Sequence, residues 1–130
     1  MIRNGVLLLL MFAAHPLQAQ WVAATIQPYA ASNFAVQGSS IFAGDADLGG
    51  NGSIFKSDDY GKFWYKSDTG VGGAAVFSLY ANDSLLLAGT YARGILRSTD
   101  HGLTWIPADS MVYCSEILSF VSKGKYLFAG

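Results

Sequence analysis

Two aspartates, Asp59 and Asp100, have surroundings that repeat along this chain. Each follows a serine by two residues and precedes a glycine by two, and a tryptophan comes three residues after that glycine. Paired carboxylates can serve as general acid and base. Beside a turn glycine, however, Asp and Ser side chains accept backbone N–H bonds. Because these residue types together fit a turn cap, we expect both aspartates to be structural and not catalytic.

The other residues of the two patterns have matching structural roles. Gly61 and Gly102 supply a backbone conformation with positive φ at no steric cost. Trp64 and Trp105 are expected to lie back over the hairpin and bury a large apolar area. The predicted structural set is Ser57, Asp59, Gly61, Trp64, Ser98, Asp100, Gly102, Thr104 and Trp105.

Residues 45–52 form a predicted loop rich in Gly and Asp. Asp45, Asp47 and Asn51 carry oxygen-bearing side chains at near-alternate positions in it. Such spacing is faintly similar to a Ca²⁺ loop, but the distal bidentate Glu of an EF-hand is missing. A Gly/Asp turn is the alternative, and we predict no metal ligand in this chain.

Tyr91 and Arg93 are the candidate ligand-loop residues, since they lie in a short loop between two predicted strands. The alternative is an ordinary solvated loop. Four further aromatic residues could stack on sugars or pack between strands: Tyr60, Phe63, Tyr65 and Tyr113. Lys56 and Arg97 occupy equivalent repeat positions, which favours a structural role for both.

No catalytic residue is predicted, and no cofactor. The sequence contains no phosphate-binding Gly loop, no Cys/His metal cluster and no Gly-x-Ser-x-Gly elbow. The single cysteine, Cys114, cannot form an intrachain disulfide and is interpreted as a small buried hydrophobe. With 8 basic and 9 acidic residues, the chain has no electrostatic footprint for nucleic acid.

Residues 1–20 have the pattern of a signal peptide. Arg3 supplies a positive start, an apolar run over 6–14 is too short to span a bilayer, and Pro16 precedes a cleavage region ending near Ala19. An uncleaved N-terminal anchor is the alternative. We therefore expect a secreted, periplasmic or cell-surface protein with no stable membrane span after the signal is removed.

A repeat organises residues 21–130. Phe42-Ala43-Gly44, Leu87-Ala88-Gly89 and Phe128-Ala129-Gly130 recur at spacings of 45 and 41 residues. Each unit reads as four short strands separated by turn residues. The predicted strands are 33–37, 41–44, 54–57 and 63–66, then 76–80, 85–90, 95–98 and 105–108, and finally 117–121 and 126–130.

Four strands in about 40 residues predict an all-β fold, specifically a β-propeller of four-stranded antiparallel blades. The blades cover about 33–66, 76–108 and an incomplete 117–130. Closed propellers have about 4–8 blades, so two blades and the start of a third indicate an N-terminal fragment.

The turn pattern Ser-x-Asp-x-Gly-x-Thr-Trp resembles the Asp-box, or BNR, repeat. Residues 98–105 match every fixed position, whereas residues 57–64 have Phe63 in place of Thr. The resemblance covers nearly all of the chain after residue 20. It implies a propeller in which Asp boxes lie at the blade periphery, away from the central binding face.

Within that family, the repeats look like those of secreted proteins similar to the photosystem II assembly/stability factor, which binds a partner protein and has no catalytic centre. This resemblance implies an exported module that binds or scaffolds a protein or carbohydrate partner. The alternative is part of a glycoside hydrolase, similar to sialidases or xyloglucanases. A sialidase Arg-Ile-Pro motif is absent, and the carboxylates outside the turns carry no distinguishing context: Asp45, Asp47, Asp68, Asp83, Asp109 and Glu116. Sortilin-type receptors are a third group of proteins that the repeats resemble.

Overall fold

The computed structural model of this chain describes residues 31–108 and 116–130. The predicted signal peptide, Asp109, Tyr113 and Cys114 lie outside these ranges. Within them the chain forms strands, turns and loops, with no helix. Accordingly, no helix in the described part of the chain is long and apolar enough to span a membrane.

The fold consists of two four-stranded sheets and one hairpin, all antiparallel. In each sheet the strands follow one another in chain order, so both sheets are open meanders. The first sheet comprises β1 (Ala31–Gln37), β2 (Ser40–Asp45), β3 (Ile54–Ser57) and β4 (Tyr65–Lys66). The second comprises β5 (Val76–Ala81), β6 (Leu86–Thr90), β7 (Ile95–Ser98) and β8 (Ile106–Pro107), and the hairpin comprises β9 (Phe120–Lys123) and β10 (Tyr126–Ala129).

The predicted all-β fold with four-stranded antiparallel sheets is therefore confirmed. The main differences are at the fourth strands, which are only two residues long. Phe63 and Trp64 belong to the preceding turn, because the Phe63 amide bonds to Asp59 and the Trp64 indole to Gly61. β9 also begins at Phe120, three residues after the predicted start.

The two sheets share an irregularity in the pairing of their first two strands. In the first, the register between β1 and β2 shifts between Ala31 and Asn33, which marks a β-bulge. In the second, the same shift occurs between Val76 and Ser78, at the equivalent place in β5. A hydrophobic alternation alone does not reveal such a bulge, whereas the shared register establishes that the units are structural repeats.

The first strands of successive units lie side by side. β1 contacts β5, and β5 contacts β9. Asn33 Nδ2 donates to the Val76 carbonyl oxygen at 2.8 Å, and Ser78 Oγ donates to the Ile117 carbonyl oxygen at 2.8 Å. Asn33 and Ser78 occupy equivalent positions, so one side chain per unit ties its first strand to the next unit.

The core lies between the two sheets. The first sheet contributes Phe42 and Ile54, and the second contributes residues from β5 to β7 and the tryptophan of its last turn. The buried cluster is Phe42, Ile54, Val71, Val76, Leu86, Ala88, Leu96 and Trp105. Because side chains of both sheets belong to one buried cluster, the packing of the two sheets against each other contributes hydrophobic stabilisation.

Candidate functional site

The first of the two repeated turns, residues 57–64, is closed by hydrogen bonds from Ser57 and Asp59. Ser57 Oγ accepts the Gly61 amide at 2.9 Å and donates to Asp59 Oδ1 at 2.8 Å. Asp59 Oδ1 also accepts the Phe63 amide at 2.9 Å. The serine and aspartate thus satisfy two backbone donors that the turn would otherwise leave open.

The second turn, residues 98–105, repeats this geometry and adds one bond. Ser98 Oγ accepts the Gly102 amide at 2.9 Å, and Asp100 Oδ1 accepts the Ser98 hydroxyl at 2.7 Å and the Thr104 amide at 2.9 Å. Thr104 Oγ1 donates to Asp100 Oδ2 at 2.5 Å. Phe63 takes this threonine's place in the first turn, so Asp59 has no equivalent hydroxyl donor there.

Both turns contain two successive residues in the left-handed region. Tyr60 has φ 63° and Gly61 φ 83°, while His101 has φ 58° and Gly102 φ 85°. Glycine adopts this conformation readily, whereas Tyr and His do so at a cost in free energy. The side-chain hydrogen bonds from the serine and aspartate offset that cost.

These contacts lower the pKa of both turn carboxyls. The Thr104 hydroxyl and amide, followed by Ser98, lower the pKa of Asp100 from 3.8 to about 2. For Asp59 the Phe63 amide is the main cause of a lowered pKa, and Ser57 adds to it. A general acid at neutral pH needs a raised pKa. Both carboxylates are therefore set up as hydrogen-bond acceptors.

The Asp100 pKa implies a pH-dependent stability. Since the folded-state pKa lies below that of the unfolded chain, the stabilisation is present above about pH 4 and is lost as the pH falls through 2. We expect the free energy of unfolding to decrease between about pH 5 and pH 2, measured by urea denaturation. Asp100→Asn should flatten this decrease. Parallel curves for the variant and the parent protein would contradict the assignment.

Removal of the Asp100 carboxylate should also destabilise the protein at neutral pH. Asp100→Ala leaves the Thr104 amide, the Thr104 hydroxyl and the Ser98 hydroxyl without their acceptor. We expect a loss of about 1–2 kcal/mol in the free energy of unfolding. Asp83→Ala, an exposed aspartate in the β5–β6 turn, is the matched control and should change it by less than about 0.5 kcal/mol. Equal effects of the two variants on thermal unfolding would refute this role.

The two tryptophans differ, contrary to the expectation that both lie over their own hairpin. The Trp64 indole N–H donates to Gly61 in its own turn at 2.9 Å, and Trp64 is half-buried. The Trp105 indole N–H instead donates across to the carbonyl oxygen of Ser67 in the first unit, at 2.7 Å, and Trp105 is 2 % exposed. Trp105 therefore joins two units.

The sequence pattern does not predict several residues that form this junction between the two units. Ser67 Oγ donates to the Gly102 carbonyl oxygen at 2.6 Å. Gln37 Nε2 donates to the Asn82 carbonyl oxygen at 2.7 Å, and Gln37 Oε1 lies 3.0 Å from His101 Nδ1. These contacts join residues 35 to 64 positions apart, so no local pattern reveals them.

The candidate ligand-loop residues lie at the opposite end of the sheets from the repeated turns. Tyr91 is exposed, and its ring packs edge-on against Phe77 with centroids 6.3 Å apart. Arg93 Nη1 donates to the carbonyl oxygens of Gly70 and Val71 at 3.1 and 2.5 Å. Arg93 thus stabilises the segment between β4 and β5, which connects the two sheets. Part of the Tyr91 ring is exposed to solvent.

The 45–52 loop is held by its own side chains. Asp45 Oδ1 accepts the Asp47 amide at 3.1 Å, and the two oxygens of Asp47 accept the Gly49 amide at 2.7 Å and the Asn51 amide group at 3.2 Å. Over residues 31–108 and 116–130, no group of three or more His, Cys, Asp or Glu side chains is placed to hold a metal ion. The loop has the hydrogen bonding of an Asx-type turn.

The remaining described carboxylates are dispersed. Asp68 Oδ2 accepts the Ser53 hydroxyl at 2.5 Å and lies 3.7 Å from Lys66 Nζ, whereas Asp83 and Glu116 are exposed. Asp58, beside the first turn, accepts the hydroxyls of Ser40 and Tyr65. The Ser40 hydroxyl, followed by that of Tyr65, lowers the pKa of Asp58.

No protein-family model matches this chain, and no curated protein matches it.

Proposed function

We propose that this chain is part of a β-propeller built from Asp-box repeats. Support comes from the first strands of the three units, because β1 contacts β5 and β5 contacts β9. In each four-stranded sheet the later strands follow in chain order, so the last strand lies furthest from these first strands. In a propeller, the first strand of each blade lines the central axis and the blades pack face to face. The repeated bulge and the repeated Asn33 and Ser78 contacts fit that arrangement.

We further propose that the protein is exported and serves as a non-catalytic module that binds or scaffolds a protein or glycan partner. Export rests on the signal-like residues 1–20. The observation that carries the non-catalytic function is the hydrogen bonding of the turn carboxylates. Asp59 and Asp100 are the repeated acids, and Oδ1 of each accepts a serine hydroxyl and a backbone amide of its own turn.

The binding surface in this proposal is the loop end that carries Tyr91. Three segments meet there: the 45–52 loop, the 67–75 connection and the 90–94 loop. The Gly52 amide donates to Gly73, and the Tyr91 amide donates to Ala75. A surface made of hydrogen-bonded loops on a rigid sheet scaffold is a common location for ligand binding. Tyr91 and Leu48 supply exposed apolar area at this end, at 44 % and 67 % exposure.

The full chain can be tested with xyloglucan in affinity gel electrophoresis. We expect Tyr91→Ala to reduce retention, since its ring is the exposed aromatic of the loop end. Tyr60→Ala is the matched control, because Tyr60 is an exposed tyrosine at the opposite end and should leave retention unchanged. Equal retention of both variants and the parent would contradict a binding surface at the loop end.

The glycoside-hydrolase alternative is tested on the same samples. A non-catalytic module releases no reducing ends from xyloglucan and no sialic acid from sialyllactose. Release of either product, above that of a heat-denatured sample, would overturn the non-catalytic proposal. In that case the candidates for general acid and base would be the carboxylates at the loop end, Asp45, Asp47 and Asp68.

A further inference from the structure

The loop that carries Tyr91 and Arg93 is a tight turn closed by hydrogen bonds. The Thr90 amide and hydroxyl both donate to the Gly94 carbonyl oxygen, at 3.0 and 2.8 Å, and Thr90 is buried. Between the two candidate residues, Ala92 has φ 60°, a left-handed conformation that costs an alanine free energy. Strained backbone of this kind is concentrated at binding and switch sites. The turn thus holds Tyr91 and Arg93 in fixed positions on either side of a strained residue.

The Arg93 guanidinium is anchored along one side only. Its Nη1 donates to the carbonyl oxygens of Gly70 and Val71, whereas Nη2 and Nε donate to no residue within 31–108 or 116–130. A Cβ on Gly72 would collide with Nη1, so the guanidinium packs directly against the backbone of this glycine. Arg93 is nonetheless exposed to solvent. A fixed guanidinium with Nη2 and Nε open can bind a carboxylate through two parallel hydrogen bonds.

No carboxylate in the described part of the chain neutralises Arg93. Two ion pairs occur among those residues, and neither includes this arginine. At the same loop end, Asp45 and Asp47 accept amides of their own loop, and Asp68 is paired with Lys66 at 3.7 Å. Arg93 therefore has a free charge for an anion from outside. Because the three aspartates repel an anion, the ligand also needs contacts that do not depend on charge.

The backbone beside the guanidinium offers the first of these contacts. Gly72 and Gly73 have φ 64° and 75°, and the amides of both donate to no residue that the structure describes. Successive backbone N–H groups in turn conformations form concavities that bind anions. Since Arg93 packs against Gly72, a carboxylate bound by the guanidinium would lie beside unbonded backbone donors.

The Tyr91 ring offers the second contact. It is partly exposed, and its edge-on packing against Phe77 keeps the ring in place. An aromatic face provides a large apolar area at low cost in conformational entropy. The C–H groups of a sugar ring can pack on such a face. A uronic acid combines this apolar ring face with a carboxylate, so it matches both Tyr91 and Arg93.

We propose that the loop end binds acidic polysaccharides, with Tyr91 packing against a sugar ring and Arg93 pairing with the carboxylate of a uronic acid residue. This inference rests on the proposed function, in which the loop end binds a partner, and it names the chemical class of that partner. Arg93 then has two roles, since the guanidinium that stabilises the 67–75 connection through Nη1 recognises the ligand through Nη2 and Nε.

Polygalacturonate and its fully methyl-esterified form are matched probes for this inference. They share the sugar ring and the linkage and differ only in the charge of the carboxyl group. Affinity gel electrophoresis of the full chain compares them, with EDTA present so that Ca²⁺ does not bridge protein and polymer. We expect the parent protein to bind polygalacturonate about fivefold more tightly than the ester, at the upper end for a solvent-exposed ion pair.

Three variants assign this preference to residues. Arg93→Gln should lower the affinity for polygalacturonate to that for the ester and leave the affinity for the ester unchanged. Lys62→Gln is the matched control, because it removes one positive charge from an exposed residue of the first turn, at the opposite end, and should keep the full preference. Tyr91→Ala should weaken binding of both polymers by the same factor. Thermal unfolding checks the fold of each variant.

The outcomes separate this inference from the proposed function. It is overturned if the parent shows no preference for polygalacturonate, if Lys62→Gln reduces the preference as much as Arg93→Gln does, or if Arg93→Gln weakens binding of both polymers equally. Each of these results leaves glycan binding at the loop end intact. Binding of neither polymer and no retention by xyloglucan would contradict glycan binding itself and this inference with it. The comparison of the two polymers needs no substitution, so it is decisive even if Arg93→Gln does not fold.

Discussion

Trp105→Ala is expected to lower the free energy of unfolding by about 3–5 kcal/mol, the usual range for loss of a buried tryptophan. Its side chain is 2 % exposed, belongs to the core cluster and donates to the Ser67 carbonyl oxygen of the other unit. The substitution removes apolar area from the junction of the sheets and leaves a cavity between them. Urea denaturation followed by circular dichroism measures the change.

Trp64→Ala is the matched control for this prediction. Trp64 occupies the equivalent turn position, is half-buried and donates only to Gly61. We expect a loss of about 1–2 kcal/mol, because less apolar area is removed from contact. If the two substitutions had the same effect, Trp105 would have no special role in joining the sheets.

The second large effect is expected at Gly89. A Cβ there would lie 2.5 Å from the carbonyl oxygen of Ile117 and 2.7 Å from its Cγ2 atom, closer than real Cβ contacts allow. Since the backbone oxygen cannot rotate away, Gly89→Ala must separate β6 from the following unit. We expect a loss of about 3 kcal/mol, at the upper end of overpacking costs, measured as a change in urea midpoint.

Gly130→Ala provides the control, since Gly130 ends the third copy of the same short string. A Cβ at Gly130 has Ser119 Oγ at 4.0 Å as its nearest neighbour, which is ordinary contact. We expect a change of less than about 0.5 kcal/mol. A small effect at Gly89 as well would contradict the close approach of Ile117.

The recurrent string, Phe-Ala-Gly in two copies and Leu-Ala-Gly in the other, illustrates what the sequence could predict. Its spacing predicts the units and their four-strand order, and the bounds of β3 and β7 agree with those expected from the apolar runs. The reason for its glycine is visible only in three dimensions. Val76 packs closely against Gly44, and Ile117 packs closely against Gly89. In both cases the contacting residue belongs to the next unit and lies about 30 positions further along the chain.

In the two repeated turns, too, the sequence predicts the local contacts but not the contacts with a neighbouring sheet. The Ser, Asp and Gly positions repeat in the sequence, and local chemistry suffices to place their hydrogen bonds. The different surroundings of Trp64 and Trp105 depend on whether a neighbouring sheet covers the turn, which no residue within the turn encodes. Arg93 is a further example, because its guanidinium binds the carbonyl oxygens of Gly70 and Val71 in a segment distant in sequence.

Hydrogen exchange of the indole N–H groups, followed by NMR, tests most directly whether the units are joined through the second turn. The Trp105 proton is buried and bonded to Ser67 of the other unit, whereas the Trp64 proton lies in a half-buried turn. Assignment uses Trp64→Phe and Trp105→Phe. We predict that the indole proton of Trp105 exchanges more slowly than that of Trp64 by about two orders of magnitude or more. Equal exchange rates would contradict the joining of the sheets through Trp105.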